Sequence, residues 1–570
     1  MKLHLPLSAG IVAAMLIAST HASAQDYGDH DQIRHVLLLS IDGMHAVDFY
    51  NCAHGIAGVN NDKPYCPNLA SLAGTGINYV ATVSSKPSDS FPGLAALVTG
   101  GTPKTTGMYY DVAFDRSLDA PATTTGTGLA GGSCKANAAP TGTTTDYDQG
   151  IEYDDTKLNG GAPGAAPTEG GIASIDPKKL VRDPAHNCAP VYPWNFVRTN
   201  TIFSVVHGAG GYTAWIDKHA SYSFTAGPGG QGLNDYYSPE VDSAVIALPG
   251  VTTAEGVSCA TIRDTSTTSS WTNSFANIQC YDALKVQALI NEINGNTHSG
   301  AAAKTPVLFG MNFQAVYIGE STAEPGVGNG GYQNAAGAPS EQLLKEIQFV
   351  DASIGDIVSA LKKRGIYEKT ALIITAKHGD SPIDPTLYVA NGSNTPATIL
   401  ANNNLIPFSE SPLNPTGIGA TEDDVSVLWL KPGASVETAV NLLETNAAAI
   451  GLGQLFYGPS LALNYGKGGL GPGLDPRTPD IIVTPNIGMT YSGSTTMIGD
   501  HGGFSHDDTN VMLLVSNPRI APQIIYSTTT TTQVAPTVLE LLGLDPKALD
   551  AVRAEGTTVL PEIHFQPTLY

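Results

Sequence analysis

In the stretch IITAKHGDS, residues Ile373 to Ser381, an apolar run ends directly in charged residues. The run is short and rich in β-branched residues, which is typical of a strand buried on both faces. Polar residues just beyond such strands line the ligand sites of α/β proteins. Lys377 beside His378 is nevertheless unsuited to an ordinary metal site, since an ammonium group repels a cation. The residues at the other predicted strand ends indicate whether this pair belongs to a catalytic site.

The composition indicates a folded, acidic protein with several units. The chain has 570 residues, of which 42% are hydrophobic and 14% charged, and its formal net charge is -23. At roughly 150 residues per domain, this length predicts two to four units or one large α/β body with insertions. The negative field repels a polyanion, so we expect no nucleic-acid-binding surface. A small anionic substrate would need a local cluster of positive charge.

The first 24 residues have the pattern of a secretory signal peptide. A polar start is followed by the apolar core LSAGIVAAMLIAST, and Ala22-Ser23-Ala24 provides a cleavage site. This core is too short to be a good membrane span, and no later segment is long and apolar enough to span a membrane. We therefore expect a periplasmic or secreted protein that is cleaved near Ala24.

Six cysteines suit an oxidising compartment. Pairing of sequence neighbours is the simplest connectivity, although the sequence leaves the other connectivities open. The neighbour pairs are Cys52 with Cys66, Cys134 with Cys188, and Cys259 with Cys280.

Apolar runs alternate with amphipathic segments along most of the chain, which predicts an α/β fold, a three-layer sandwich with a mostly parallel central sheet and loop-rich insertions. Helices are predicted after Pro67, over Phe91 to Gly101 with Ser90 as the N-cap, and from Ser340 to a stop at Gly365. Strands are predicted at His35 to Ile41, Tyr212 to Ile216, Thr305 to Phe313 and Ala371 to Ala376, with later strands at DIIVTP and VMLLVS.

Polar residues at the ends of these strands are expected to converge on one crevice. They are Asp42 after the first strand, Gln314, the Lys377-His378 pair and His501 within GDHGGFS. Ser90 lies at a helix start, where free N–H groups favour an anion and can lower the pKa of a hydroxyl group.

Five motifs in this order resemble those of the alkaline phosphatase superfamily. They are LLLSIDGM, SDSFPGLAALVTG, ALIITAKHGDSP, GDHGGFS and APTVLELLGL. The chain is most similar to the type I phosphodiesterase/nucleotide pyrophosphatase branch, and phosphonoacetate hydrolases are cousins. This resemblance implies an alkaline phosphatase-like fold over most of residues 33 to 545. It also implies a metal-dependent hydrolase of phosphate esters, with a small anionic phosphate ester as substrate.

The composition and the resemblance together predict a domain organisation. The catalytic domain is predicted to comprise residues 25–119 and 195–545. A Gly/Thr-rich insertion held by the Cys134–Cys188 pair is predicted at residues 120–194, and a small α/β insertion at residues 400–470. Residues 546–570 form a predicted C-terminal tail.

The resemblance also implies roles for individual positions. Asp42 matches the first metal-binding aspartate, and Ser90 matches the nucleophile that precedes Phe-Pro-Asn. Gly93 stands where the family has that Asn, which holds a phosphate oxygen. His378 matches the metal-binding histidine of Asp-His-Gly, and His501 matches the last metal-binding histidine, for which His506 is an alternative.

Two departures reduce the family's pair of zinc sites. Lys377 replaces the Asp of Asp-His-Gly, and the Asp-x-x-x-His motif is absent where the chain has Gln314. We hypothesise that Lys377 supplies electrostatics that a metal would otherwise supply. One divalent ion, with zinc as the implied metal, would remain on Asp42 with one or more of His378, His501 and His506.

The predicted function is hydrolysis of phosphodiesters or nucleotide pyrophosphates through a serine nucleophile. One alternative is a sulfatase or phosphonate hydrolase on the same scaffold, although Ser90-Phe91-Pro92-Gly93-Leu94 lacks the arginine of the sulfatase motif. A second alternative is a non-catalytic member that binds an anion or a partner. The segment Asp217 to His219 follows another strand and is a weaker candidate for contacts with the substrate.

Overall fold

The computed structural model describes residues 33–125, 129–147, 175–241, 248–261, 271–407 and 422–566. The predicted signal peptide, parts of the predicted insertions at 120–194 and 400–470, and the last four residues of the predicted tail lie outside the described residues.

The centre of the molecule is an eight-stranded sheet. Its strands are β1 His35–Ile41, β2 Gly76–Tyr79, β3 Ala214–Ile216, β4 Asp235–Tyr237, β5 Leu308–Phe313, β6 Thr370–Thr375, β10 Leu513–Ser516 and β11 Gln523–Ile525. They lie in the order β11-β2-β10-β6-β1-β5-β3-β4, and neighbouring strands are parallel except around β10, which is antiparallel to both β2 and β6. Strands β7 to β9 belong to the smaller sheet described below.

The apolar strand β1 divides the interior into two hydrophobic cores. Leu37, Leu39 and Ile41 pack into the core on one face of the sheet, and Val36 and Leu38 pack into the core on the other. Successive side chains of a strand point to opposite faces, so a continuous apolar run is required where both faces are covered. The predicted three-layer α/β fold with a mostly parallel sheet is confirmed.

Helices cover both faces of the sheet. The longest, Glu341–Arg364, begins after the N-cap Ser340 and ends at Gly365, as predicted. The helix around Phe91 begins one residue earlier than predicted, and the prediction of Ser90 as its N-cap is wrong. The cap is Asp89, whose carboxylate accepts a hydrogen bond from the backbone N–H of Phe91. The principal helices are α1 Ala46–His54, α2 Pro67–Ala73, α3 Ser90–Thr99, α4 Ile202–Gly208, α5 Phe275–Ile293, α6 Ala315–Ser321, α7 Glu341–Arg364, α8 Pro396–Asn402, α9 Val436–Thr445, α10 Gly458–Tyr465, α11 Val534–Leu541 and α12 Asp550–Glu555.

A second, smaller α/β region follows the long helix in sequence. Its antiparallel sheet has the order β7-β9-β8, with β7 Ser426–Leu428, β8 Leu452–Tyr457 and β9 Ile481–Pro485. Helices α8 and α9 pack on one face around Leu428 and Val483, and α10 packs on the other face around Val427. The domain boundaries given above stay a prediction.

Three disulfides join the neighbour pairs predicted from the sequence. Cys52 is bonded to Cys66, Cys134 to Cys188, and Cys259 to Cys280. The second of these lies within the predicted 120–194 insertion. A short ladder joins Thr143–Asp146 of that segment to Val112–Asp115, and another joins Arg182–Asp183 to Ala189–Pro190. None of the helices in the described part of the chain combines the length and apolar character needed to cross a bilayer.

Candidate active site

The ends of the two central strands bring Asp42 and the Lys377-His378 pair together. Strands β1 and β6 are parallel neighbours, and Ser40 pairs with Thr375. Asp42 and Lys377 therefore both lie two residues beyond this matched pair. The Nε2 atom of His378 lies 3.8 Å from an oxygen of Asp42, and both side chains are buried.

Ser90 meets His378 from the first turn of helix α3. The hydroxyl oxygen of Ser90 lies 3.0 Å from Nε2 of His378. The other ring nitrogen, Nδ1, lies 3.0 Å from the carbonyl oxygen of Gly379, which can only accept a hydrogen bond. Nδ1 therefore carries the proton in the neutral ring, and the lone pair of Nε2 faces Ser90. This is the arrangement in which a histidine can take a proton from a serine hydroxyl group.

Lys218 is the second side chain that contacts the serine. Its ammonium group donates a hydrogen bond of 3.1 Å to the hydroxyl oxygen of Ser90, and the side chain is only 13% exposed. The sequence suggested the Asp217–His219 segment only as a weaker candidate. The signal in the chain itself was the position of these polar residues directly after a strand, here β3.

Asp42 is surrounded by nitrogen donors. Its Oδ2 atom accepts hydrogen bonds from Gln314 at 2.6 Å and from Asn312 at 3.1 Å. The ammonium groups of Lys377 and Lys218 each lie 3.7 Å from the same oxygen. Burial by itself would raise the pKa of Asp42, but Lys377 and the other nearby cations hold it well below its ordinary value. Asp42 is therefore ionised in the folded protein.

Lys377 is buried between two carboxylates. Its ammonium group donates a hydrogen bond of 3.0 Å to Asp217 and lies over the ring of Tyr222, 4.2 Å from the ring centre. Burial lowers the pKa of Lys377, while Asp217 and Asp42 oppose that change. The ammonium group of Lys377 thus lies inside the protein beside Asp42 and does not point to solvent.

Helix α3 can approach Lys377 because position 93 is glycine. A Cβ atom at Gly93 would collide with the carbonyl oxygen of Lys377 and would lie 2.9 Å from its side-chain Cβ. The Asn expected at this position from the family pattern cannot fit without displacing the strand end. Gly93 therefore allows helix α3 to pack closely against the backbone at position 377.

His501 completes the group of predicted residues. Its ring centre lies 4.0 Å from that of His378, and Tyr317 packs edge-on against both rings. Burial, and after it the positive charge that His501 can carry, holds the pKa of His378 well below its ordinary value. The alternative ligand His506 is exposed at the start of a one-turn helix. The structure thus brings Asp42, Ser90, His378 and His501 into one region.

The donor set does not suit the pair of metal ions that the family pattern implies. Two ammonium groups lie 3.7 Å from the carboxylate oxygen that would be shared with a metal, and they would repel a divalent cation there. The ligand atoms of Asp42, His378 and His501 also do not all lie within 4.8 Å of one another. A single ion at these residues stays a prediction.

Comparison with protein families assigns the class of this fold and site. The family described as type I phosphodiesterase/nucleotide pyrophosphatase matches residues 36–137 and 328–504, which include Asp42, Ser90, Lys377, His378 and His501. The chain belongs to this family of phosphoric ester hydrolases, as its motifs indicated. A search of curated proteins gave no match.

Solved structures with a similar chain trace include three of ectonucleotide pyrophosphatase/phosphodiesterase 5. The murine protein is 13% identical, with a TM-score of 0.48, over 90% of this chain and 96% of that chain. An inactive variant of the murine protein in complex with AMP has 13% identity, a TM-score of 0.49 and the same coverage. The human protein has 13% identity and a TM-score of 0.47 over 90% of this chain and 95% of that chain.

Proposed function

We propose that this protein hydrolyses phosphate esters, with phosphodiesters or nucleotide pyrophosphates as the preferred class, through Ser90 as the nucleophile. The observation that carries the proposal is the pair of contacts to the serine hydroxyl group. A neutral imidazole accepts from it at 3.0 Å, and an ammonium group donates to it at 3.1 Å. Family membership supports the reaction class, and these contacts support the choice of nucleophile.

In the first step, the hydroxyl oxygen of Ser90 attacks phosphorus and its proton moves to Nε2 of His378. The bond between phosphorus and the leaving oxygen breaks, and the imidazolium returns the proton to that oxygen. In the second step, a water molecule gives its proton to Nε2 and attacks the phosphoseryl group. The bond between phosphorus and Ser90 then breaks, and the imidazolium reprotonates the serine.

The two lysines have different proposed roles. The ammonium group of Lys218 contacts the reacting oxygen, so it stabilises the charge that develops on Ser90 and on the phosphoryl oxygens. Lys377 is a positioning residue, because its charge balances Asp42 and Asp217 and no described contact joins it to the serine. These two roles extend the hypothesis that the ammonium groups of lysine side chains supply part of the electrostatic stabilisation that a metal ion would otherwise supply.

The proposal is tested with the purified mature protein on bis(4-nitrophenyl) phosphate, 4-nitrophenyl phosphate and 4-nitrophenyl sulfate. We expect the diester to be the best substrate and Ser90→Ala to remove the activity. The matched control is Ser85→Ala, which removes a buried hydroxyl group that donates to the carbonyl oxygen of Pro87. Retained activity in Ser90→Ala would contradict the serine mechanism.

The same assay separates the alternative functions. A preference for the sulfate ester would favour a sulfatase on this scaffold. Inactivity on all three esters, after divalent metals have been supplied, would favour a member that binds an anion or a partner without catalysis. The positions at which Lys377 and Gln314 replace family ligands are the sequence feature that agrees with this last alternative.

We also propose that the protein is exported, with cleavage of the signal peptide near Ala24. Three disulfides support an oxidising compartment, since thiols are kept reduced in the cytosol. The mass of the mature protein tests this proposal. An exported form that retains residues 1–24 would contradict cleavage.

A further inference from the structure

A second cluster of charged side chains lies next to the serine site and takes no part in the proposed reaction. It consists of His45, Asp48, Glu320 and Asp380, and none of them is more than 3% exposed. We call these four residues the His45 cluster. Glu320 can enter it because position 43 is glycine with a φ of +88°, and a Cβ atom there would collide with the Glu320 carboxylate.

Three members of the His45 cluster have the spacing of metal ligands. Nδ1 of His45 lies 2.8 Å from an oxygen of Asp48 and 3.3 Å from an oxygen of Glu320. Among the described residues, these three form the one group of three potential ligands whose atoms all lie within 4.8 Å of one another. Nε2 of His45 lies 2.9 Å from the carbonyl oxygen of Asp380 and accepts a hydrogen bond of 3.0 Å from the backbone N–H of the same residue. Without a cation, Nδ1 therefore carries the proton of the neutral ring and donates it to the carboxylate of Asp48. Coordination of a cation by Nδ1 would require this proton to move to Nε2, which would then donate to the carbonyl oxygen of Asp380.

Several buried oxygens of the cluster have no hydrogen-bond partner. They are Oδ1 of Asp48, Oε2 of Glu320 and both carboxylate oxygens of Asp380. A buried carboxylate without a partner is costly, and such groups in proteins are usually paired or coordinate a metal.

We propose that the His45 cluster binds a divalent cation through Nδ1 of His45 and the carboxylates of Asp48 and Glu320, with the Asp380 carboxylate contributing a further negative charge close to the ion. Three carboxylates carry three negative charges, and a divalent cation offsets two of them. Oxygen donors with one imidazole suit manganese or zinc, and the carboxylates also suit calcium or magnesium.

This cation joins the segments that carry the serine site. Gly43 pairs with Gly379, and the N–H of Gly379 donates to the carbonyl oxygen of Asp508. Ser381 and Asp500 pair through two backbone hydrogen bonds of 2.7 and 2.9 Å. A cation at His45 therefore holds the loops after β1 and β6 to the segment that contains His501. Its role is structural, and it is independent of which ester the protein hydrolyses.

Glu292 provides a matched control for a buried carboxyl group. It is also fully buried with both oxygens unpartnered, but within the described part of the chain Asp235 is the charged group that acts on it. A single carboxyl group of this kind is neutralised by one proton and needs no cation. Glu320→Gln and Glu292→Gln thus make the same chemical change in two environments, one with a set of metal ligands and one without.

The test is elemental analysis of the purified full chain after dialysis against calcium, magnesium, manganese or zinc in turn. We expect one tightly bound ion per chain in the parent protein and in Glu292→Gln, and its loss in Glu320→Gln. Asp42→Asn tests the serine site, and we expect this variant to keep the ion. An ion that is lost in Asp42→Asn and kept in Glu320→Gln would overturn the proposal, because it would belong to the serine site.

Thermal unfolding gives a second readout that does not depend on activity. At about 100 times its Kd, a bound cation should raise the Tm of the chelator-treated parent protein by several degrees. We expect the same rise in Glu292→Gln and little or none in Glu320→Gln or Asp380→Asn. If none of the four metals changes the Tm of the parent protein and no ion is found, the proposal is wrong. Because these measurements need no substrate, an inactive protein would leave this result standing.

Discussion

Replacement of Lys218 by methionine tests the proposed electrostatics of the site most directly. The change keeps a long unbranched side chain and removes the ammonium group that donates to Ser90 at 3.1 Å. We expect kcat to fall because the charge that develops on the serine oxygen then has no cation beside it. The ground-state binding of a substrate should change less, since the contact is to the reacting oxygen.

The size of the effect follows from the distance. At an effective dielectric constant of about 20, unit charges 3.1 Å apart interact by about 5 kcal/mol, which is a ceiling for a fully formed alkoxide. With roughly half of a unit charge on the oxygen in the transition state, the loss is about 2.5 kcal/mol, or roughly 50- to 100-fold in kcat. Removal of a single preorganised donor costs a similar amount in other enzymes, about 100- to 1000-fold.

The assay is steady-state hydrolysis of bis(4-nitrophenyl) phosphate by the parent protein, Lys218→Met and Lys218→Arg. Arginine keeps the positive charge, so we expect Lys218→Arg to retain more activity than Lys218→Met. Lys345→Met is the control, since that lysine is half exposed and pairs with Glu341 on helix α7. If kcat of Lys218→Met stays within about threefold of the parent value while the fold is intact, the charge does not act on the serine oxygen and the mechanism is refuted.

Three further predictions concern Ser90, His378 and Lys377. We expect mass spectrometry after rapid acid quenching to detect a phosphoryl-enzyme in the parent protein and none in Ser90→Ala. A phosphoryl group that persists in Ser90→Ala would show that another residue is the nucleophile. Burial and His501 lower the pKa of His378, so kcat/KM of the parent protein should fall only as the pH drops well below about 6.5. His501→Gln removes a positive neighbour of His378, so it should move this acid limb of the pH profile to higher pH. An acid limb that does not move would show that His378 is not the base. Lys377→Met should lower the free energy of unfolding, measured in urea, by about 3–5 kcal/mol, because Asp42 and Asp217 lose a buried counter-charge. The double variant Lys377→Met with Asp217→Asn should recover part of this lost stability. Equal stability of the parent protein and Lys377→Met would contradict the role of Lys377 as a counter-charge.

The regular elements could be predicted because their signals are local. The apolar run at β1 and the spacing of apolar residues in α7 depend on neighbours a few positions away, and the structure has both close to the predicted bounds. Helix α5, Phe275–Ile293, was not predicted although 14 of its 19 residues are buried. Burial extends around much of this helix and includes Asp282 and Lys285, so the one-sided apolar pattern that identifies a surface helix is weak.

The sequence by itself determined the α/β class, the motif order and the positions at which polar residues follow buried strands, because hydrophobic periodicity and chain order are properties of the sequence. Only the tertiary structure decided that Lys218 contacts Ser90, 128 residues away, and that Lys377 turns inward to Asp217, 160 residues away. The structure also shows that Asp89 caps α3 in place of the predicted Ser90, so the serine hydroxyl group contacts His378 and Lys218 instead. Pairings of this kind depend on how strands and helices pack in three dimensions, and side-chain spacing along the chain does not encode them.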